Sequence, residues 1–284
     1  MKGRLSDKLR PVRLTAQVAK WLVLILYLVI AIFPLVWLGV SSFKTNLEIE
    51  ISPFLLPEVW QLKNFRNALN TTGLLQYFLN SVIVAAGATS LNLFITSLGS
   101  FVLARKSFPI QKAIFTLITA GVLIPIIAFM VPYFSTIHRL GLYDSLPALI
   151  LTYSAINIPI SIFIIRNFMV LIPRELDDSA SIDGCGYWQQ YARIVLPLSR
   201  SGLVTAGTFC FIYCWNEFVY ALLLTSSRHA RTVQLAIRFF TSQFRTDYAG
   251  MFAAIVLTII PSVVFYIFMN KQIVSGLIAG AVKG

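Results

Sequence analysis

Apolar residues in this chain neither alternate with polar ones at a period of two nor gather on one face of a 3.6-residue repeat. They come as long uncharged runs between short charged clumps. A bilayer-crossing helix needs about 20 mostly apolar residues, and six runs reach that length, at about 21–43, 82–103, 113–137, 145–165, 201–227 and 248–270. Membrane-barrel strands are about ten residues long and alternate apolar with polar, so the pattern predicts six helices. Pro34, Pro125, Pro132, Pro159 and Pro261 lie inside the runs. Membrane helices accept proline where neighbours satisfy the freed carbonyls, so these residues are either kinks or tolerated packing features. The first run is longer than the core of a secretory signal and no small-residue cleavage site follows, so it reads as an uncleaved anchor.

Composition agrees with this reading. Of the 284 residues, 57% are hydrophobic and 12% charged, whereas soluble domains carry about 25% charged residues. The fold class expected is all-α, a polytopic membrane protein with six transmembrane helices. The net charge of +12 would raise the question of nucleic acid, but no basic run with interleaved aromatics stands clear of the apolar spans. No nucleic-acid partner is expected; the lipid bilayer is.

Flanking charges instead set orientation, the side richer in Lys and Arg being cytoplasmic. The N-terminal arm, residues 1–20, is strongly basic, and further basic residues fall after the second and fourth runs and in the tail. Both termini are therefore expected in the cytoplasm. The loop with Arg228, Arg231, Arg238 and Arg245 is the exception and would lie outside, as a docking surface for an acidic partner or simply a solvated loop. No linker or internal repeat interrupts residues 21–284, which read as a single transmembrane domain.

Candidate chemistry is sparse. Cys185, Cys210 and Cys214 are an odd number and imply no disulfide framework. Cys210 and Cys214 share a helix face, but only His138 and His229 could join them as soft ligands, both distant in sequence; no metal site is expected and packing is their reading. No nucleophile and base, or metal cluster, is grouped as an intramembrane enzyme would need, so no catalytic residue is expected. A Gly-x4-Gly-Lys-Ser/Thr phosphate loop is missing from the sequence, so no cofactor is expected in this chain.

The informative segment is the connection 166–200 between the fourth and fifth runs. Pro173 suits a first helical turn, and Glu175, Asp177 and Asp178 lie where the positive end of a helix dipole favours carboxylates. Ser179, Ala180 and Ser181 offer a small-residue surface for close approach. Gly184 allows a chain reversal without a Cβ. A second short helix, about 187–194, would be stopped at Leu196-Pro197. The expected product is two short helices joined at a sharp bend.

Residues 175–197 resemble the EAA loop of ABC importer permeases. Glu175 opens the match, Asp178-Ser179-Ala180 stands at the acidic-Ala-Ala position, Asp183-Gly184 at the central Gly, and Ile194, Leu196 and Pro197 at the ending. Asp for Glu and Ser for the first Ala keep charge and size. Phe33-Pro34-Leu35, Ser41-Ser42-Phe43-Lys44, Asn80-Ser81, Leu103-Ala104-Arg105, Trp215-Asn216-Glu217-Phe218 and the ending Gly276–Gly284 are similar to carbohydrate-type permeases, the maltose-permease-G group above all.

The resemblance implies a permease subunit of an ATP-driven importer for a sugar or oligosaccharide, multi-pass in a bacterial or archaeal plasma membrane, with residues 166–200 as a cytoplasmic coupling loop. Its implied partners are a second related permease, two cytoplasmic ATPase subunits and an extracytoplasmic sugar-binding protein, with ATP and Mg held by the ATPases. A non-sugar solute such as a phosphorylated polyol or a peptide is the alternative. A secondary transporter would need coupled titratable groups and usually repeated halves, and a single intramembrane Glu fits that poorly. A mid-bilayer carboxylate costs roughly 2.5–3.5 kcal/mol, so Glu217 should face a partner or water. Asn216 and Glu217 would then lie near the translocation path, or Glu217 makes a structural hydrogen bond. By likeness to the family, Lys283 and Gly284 would reach the ATPase interface; a frayed terminus is the alternative. Gly276 and Gly280 have the spacing of close helix contacts but fall at or beyond the sixth run.

Overall fold

A computed structural model describes residues 2–71, 73–240 and 247–281. Every regular element among them is helical. In chain order they are α1 (Lys2–Ser41), α2 (Asn46–Ile51), α3 (Lys63–Thr71), α4 (Leu74–Arg105), α5 (Gln111–Ala120), α6 (Met130–Arg139), α7 (Leu146–Ile156), α8 (Ile158–Val170), α9 (Glu175–Ile182), α10 (Tyr187–Gln190), α11 (Leu196–Leu198), α12 (Arg200–Asn216), α13 (Val219–Leu224), α14 (Val233–Ala236) and α15 (Tyr248–Ala281).

Three of these are long and apolar enough to cross a membrane singly: α1 from Gln17, α4, and α15 as far as Met269. Three further candidates are bent pairs, Gln111–Leu123 with Ile126–Arg139 at 102°, Leu146–Ile156 with Ile158–Val170 at 51°, and Tyr187–Leu198 with Arg200–Asn216 at 74°. The expected runs thus appear as helix, with several boundaries moved. The arm 1–20 is not separate, since α1 runs through it and through Pro34. The second run was expected from residue 82, but α4 starts at Leu74 behind Gly73, whose φ is +70°. The third breaks around Pro125, between two 3-10 turns. The fourth breaks at Asn157, where Pro159 sits in the first turn of α8, a position whose N–H no helix needs. The fifth ends its first helix at Asn216. The sixth continues to Ala281 and takes in the backbone of Gly276 and Gly280.

The described residues fall into two compact units, Met1–Ala68 with Phe240–Val256, and Leu69–Phe239 with Leu257–Gly284. In the first unit, Trp37 packs edge-on against Phe252 with ring centroids 5.3 Å apart and donates its indole N–H to Pro53 O at 2.8 Å. Trp21 stands exposed. α2 starts in a capping box: Thr45 Oγ1 accepts from Glu48 N at 3.2 Å, and Glu48 Oε2 accepts from Thr45 N at 2.7 Å. The amide N–H groups of Thr45 and Glu58 hold the Glu48 carboxyl below its ordinary range. Lys44 follows the first run and ends the Ser41-Ser42-Phe43-Lys44 segment. It is 1% exposed, and its Nζ donates to Ser52 O at 3.0 Å and Pro53 O at 2.9 Å.

In the second unit α4 is the hub, packed by α7, α8 and α12. Every fourth residue along one face, Val84, Ala88, Asn92, Thr96, Ser100 and Ala104, is buried. Small side chains at that spacing let neighbouring backbones approach closely, the usual device where lipid supplies no hydrophobic drive. Polar members of the stripe donate to backbone: Asn92 Nδ2 to Ser154 O at 2.8 Å and Thr96 Oγ1 to Asn92 O at 2.6 Å, while Asn92 Oδ1 is buried without a partner among the described residues. Gly202 of α12 is a second close approach, since a Cβ there would lie 2.7 Å from Phe168 Cβ.

The loops at one end of this unit are pinned. Asp144, at φ +59°, accepts from Ser226 N at 2.7 Å and Ser227 N at 2.9 Å through Oδ1. Burial pushes its carboxyl up, and the bonds from the Ser227 and Ser226 amides outweigh that, holding it below its ordinary value. Asn80 Nδ2 donates to His229 O and Arg231 O, both at 2.9 Å, and Ser81 Oγ accepts from Val233 N at 2.8 Å.

Candidate functional site

The segment 166–200 folds as two short helices about a bend. α9 opens with Asp177 N and Asp178 N donating to Arg174 O at 2.9 and 3.1 Å, and three carboxylates sit in or beside this turn as the helix dipole favours. It closes in a Schellman motif: Cys185 N donates to Ala180 O at 2.8 Å and Gly184 N to Ser181 O at 3.1 Å. Gly184 takes φ +78° there, a conformation a Cβ disfavours by about 1–2 kcal/mol. Gln190 Nε2 then ties α10 back to α9, donating to Ser181 Oγ at 2.8 Å and Cys185 O at 3.2 Å.

The stop expected at Leu196-Pro197 does not occur. A π-turn over Tyr191–Val195 lets Leu196 N reach Tyr191 O, Pro197 falls in the first turn of α11, and the bend comes afterwards at Ser199. The wide turn makes Pro197's missing N–H harmless. Ile194 and Leu196 are half-buried and Pro197 is exposed.

Of the small residues of α9, Ala180 is buried while Ser179 and Ser181 face out, their hydroxyls donating to Glu175 O and Asp177 O at 2.8 Å. Beside them stand Ile182, 87% exposed, Trp188, 64% exposed, and Leu176. Glu175, Asp178 and Asp183 are exposed on the same loop. Three exposed apolar side chains and three exposed carboxylates thus share one loop, stiffened by its own hydrogen bonds.

The inner side of the loop is fastened to α4, by residues that sequence reasoning passed over. Arg105 Nε lies 3.1 Å from Asp177 Oδ2, with side chains 5% and 17% exposed, and Arg105 Nη1 donates to Ile172 O at 3.0 Å. Tyr191 OH and Ser97 Oγ are 2.8 Å apart. Phe101 packs on Tyr187 and Tyr191 at 4.5 and 5.2 Å, and Lys106 Nζ stands 4.3 Å over the Tyr187 ring. Burial and the Asp177 charge raise the Tyr187 hydroxyl above its ordinary pKa, against the lowering pull of Arg105. In the sequence Arg105 belonged to the Leu103-Ala104-Arg105 likeness; its pairing in space gives it a partner.

Glu217 lies in extended backbone at the break between α12 and α13. Its Oε2 accepts from Tyr153 OH at 2.6 Å and Ala221 N at 3.0 Å, and its Oε1 from Tyr220 N at 2.8 Å. The buried carboxylate thus satisfies the first amides of α13. Asn216 is exposed and borders a cleft of about 430 Å³ lined also by Ile126, Ile212, Tyr213 and Phe218. The fastening of α9 and the capping by Glu217 both lie within the second unit. Lys283 and Gly284 lie outside the described residues. Cys210 and Cys214 place their sulfurs 4.0 Å apart in the core, and among the described residues no three His, Cys, Asp or Glu group as metal ligands.

Residues 95–277 match the family described as binding-protein-dependent transport system inner membrane component. The diacetylchitobiose uptake system permease protein NgcG of Streptomyces coelicolor is 34% identical over 92% of this chain and 87% of its own length. The trehalose/maltose transport system permease protein MalG of Thermococcus litoralis is 33% identical over 92% of this chain and 94% of its own. Among solved structures, a chain of a bacterial ABC transporter that imports the acidic polysaccharide alginate superposes with a TM-score of 0.78 at 19% identity, covering 89% of this chain and 95% of that one. A chain of a bacterial alginate transporter in complex with an alginate pentasaccharide-bound periplasmic protein gives 0.69 at 17% identity, covering 94% and 96%.

Proposed function

The chain belongs to the family of binding-protein-dependent transport system inner membrane components, and on that premise we propose that it is the permease subunit of an ATP-driven importer of a sugar or oligosaccharide. The observation that carries this reading is the loop around Gly184: a capped helix, a left-handed glycine and a second helix presenting Leu176, Ile182 and Trp188 beside three carboxylates. That surface suits insertion into a cleft of a cytoplasmic ATPase. The sugar class is supported by the diacetylchitobiose and trehalose/maltose systems among the relatives.

In this reading α1, α4, the bent pairs 111–139 and 146–170, α12 with α13, and α15 are six spans of one permease domain, with both termini and the loop 166–200 in the cytoplasm. A second permease pairs with this one, two ATPases bind below, and a sugar-binding protein docks outside. ATP and Mg are held by the ATPases. Their closure displaces α9 and α10, and the bends at Asn157 and Ser199 let the attached helices pivot so that a central path opens outward. Hydrolysis restores the inward state. Asn216, exposed at its cleft, is the path-lining candidate, and Glu217 supports the break that presents it.

The test is to tag the chain in its host, extract it in mild detergent, and identify what co-purifies in fixed ratio. An ATPase and a second multi-span protein are expected, with hydrolysis stimulated by a sugar-loaded binding protein. A stable chain that recovers no ATPase would refute the reading, and stimulation only by a phosphorylated polyol or a peptide would refute the sugar class.

A further inference from the structure

Movement imposed on the α9–α10 loop must leave it through contacts, and the chain itself is a poor conductor. Toward one side the loop continues into α8 and α7, bent by 51° at Asn157; toward the other it continues into α12, entered through a 74° bend and broken again at Glu217. Each bend can absorb displacement. α4 holds no proline and runs unbroken for 32 residues, about 48 Å at 1.5 Å per residue. The side-chain contacts described above lead from the loop into its end: Arg105 to Asp177 and Ile172 O, Ser97 to Tyr191, and Phe101 to Tyr187 and Tyr191. About seven turns away, Asn80 and Ser81 of the same helix grip the segment 229–233.

We propose that Arg105 and Asp177 form a clamp that carries the movement of the coupling loop into α4, making Arg105 a positioning residue for transport. The proposal rests on the loop being the ATPase contact. The form of the pair suits a joint. Arg105 Nη2 and Asp177 Oδ1 are buried and have no hydrogen-bond partner among the described residues, so the two side chains are held by charge rather than by a locked fork. Such a pair turns without parting, while removal of either member strands a buried charge.

The experiment uses the assembled transporter in lipid nanodiscs, with spin labels on Ser107→Cys and Ala192→Cys in a Cys185→Ser background. In the wild-type clamp the distance between labels is the same without nucleotide and with ATP bound, because the loop and the end of α4 move together. Arg105→Ala makes that distance nucleotide-dependent and lowers sugar transported per ATP by about 5- to 150-fold, the usual span of coupling between sites. The charge swap Arg105→Asp with Asp177→Arg recovers part of the loss and returns the label distance toward nucleotide independence, and that distance is a readout a merely structural defect would not move. A label distance that changes with nucleotide while the clamp is intact overturns the proposal, as does an Arg105→Ala transporter that couples normally. A wild-type chain that recovers no ATPase overturns the reading beneath it and the proposal with it.

Discussion

Replacing Glu217 with Gln should destabilise the chain while leaving its choice of sugar intact. The carboxylate is 8% exposed, and its two oxygens take three bonds, two at Oε2 and one at Oε1. An amide has one oxygen. Placed at the Oε2 position, it keeps the bonds from Tyr153 and Ala221 and turns an NH2 group against the Tyr220 N–H; placed the other way it loses two. A buried donor left without an acceptor costs about 1–3 kcal/mol. For a chain of this size that is a fall of roughly 5 °C in Tm. Tyr153→Phe should couple to it, because the hydroxyl at 2.6 Å has Glu217 as its acceptor. Because the amide oxygen still accepts from Tyr153, the two losses should fall short of additivity by about 1 kcal/mol, the difference between a hydrogen bond to a charged group and one to a neutral group. Unfolding followed by tryptophan fluorescence in detergent, on the two single variants and the double, gives the cycle; sugar competition in proteoliposomes gives the preference. Additive losses, or a Glu217→Gln chain as stable as wild type, would refute the capping argument. A shift in sugar preference would mean that Glu217 touches substrate.

Three other outcomes follow from geometry already given. Gly184→Val, forced into φ +78°, should leave the chain inserted and folded but abolish sugar-stimulated ATP hydrolysis, while Gly184→Asn should retain much of it, because Asn tolerates that region. Gly202→Ala should destabilise by about 1–3 kcal/mol through overpacking, since the Phe168 Cβ it meets at 2.7 Å belongs to the stem of the side chain and cannot swing aside; an unchanged Tm would show that α8 and α12 separate easily. Asp144 is held below its ordinary value of 3.8, so its contribution is fully present above that pH and is lost as pH falls through the lower folded-state value. The Tm advantage of wild type over Asp144→Asn should therefore be flat from neutral pH to about 4 and shrink below it; an advantage that fades nearer pH 6 would assign the titration to another group.

How much of this was legible in the sequence depended on the physical signal involved. Apolar runs of about 20 residues announce helices because lipid leaves backbone groups only helices or closed barrels and barrel strands are shorter and alternate, and the runs appear as helix. Their breaks were not legible: proline predicts a kink, but Pro34 and Pro261 lie in continuous helices while the chain turns by 102° around Pro125, and neighbouring packing decides between the two. Helix beyond the apolar part was hidden as well. The start of α4 at Leu74 was not legible, because Asn80 and Ser81 carry polar side chains whose partners lie about 150 positions away in sequence. In the loop 166–200, Gly184 and the acidic first turn were readable because they are local. Arg105, Tyr191 and Ser97 were not, because an ion pair across 72 positions leaves no local pattern. Glu217 was recognised as unusual from its charge alone, and only the fold shows its three donors.

The burial of Lys44 bears on how this molecule can be mapped by chemistry. An amine that is 1% exposed and bonded to the carbonyls of Ser52 and Pro53 offers no open approach to acylating reagents. A footprinting experiment with a membrane-impermeant N-hydroxysuccinimide ester would therefore record silence at this lysine even if the flanking segment faces the reagent. Lys63, exposed in the same unit, is the residue whose labelling reports which side of the bilayer that segment occupies.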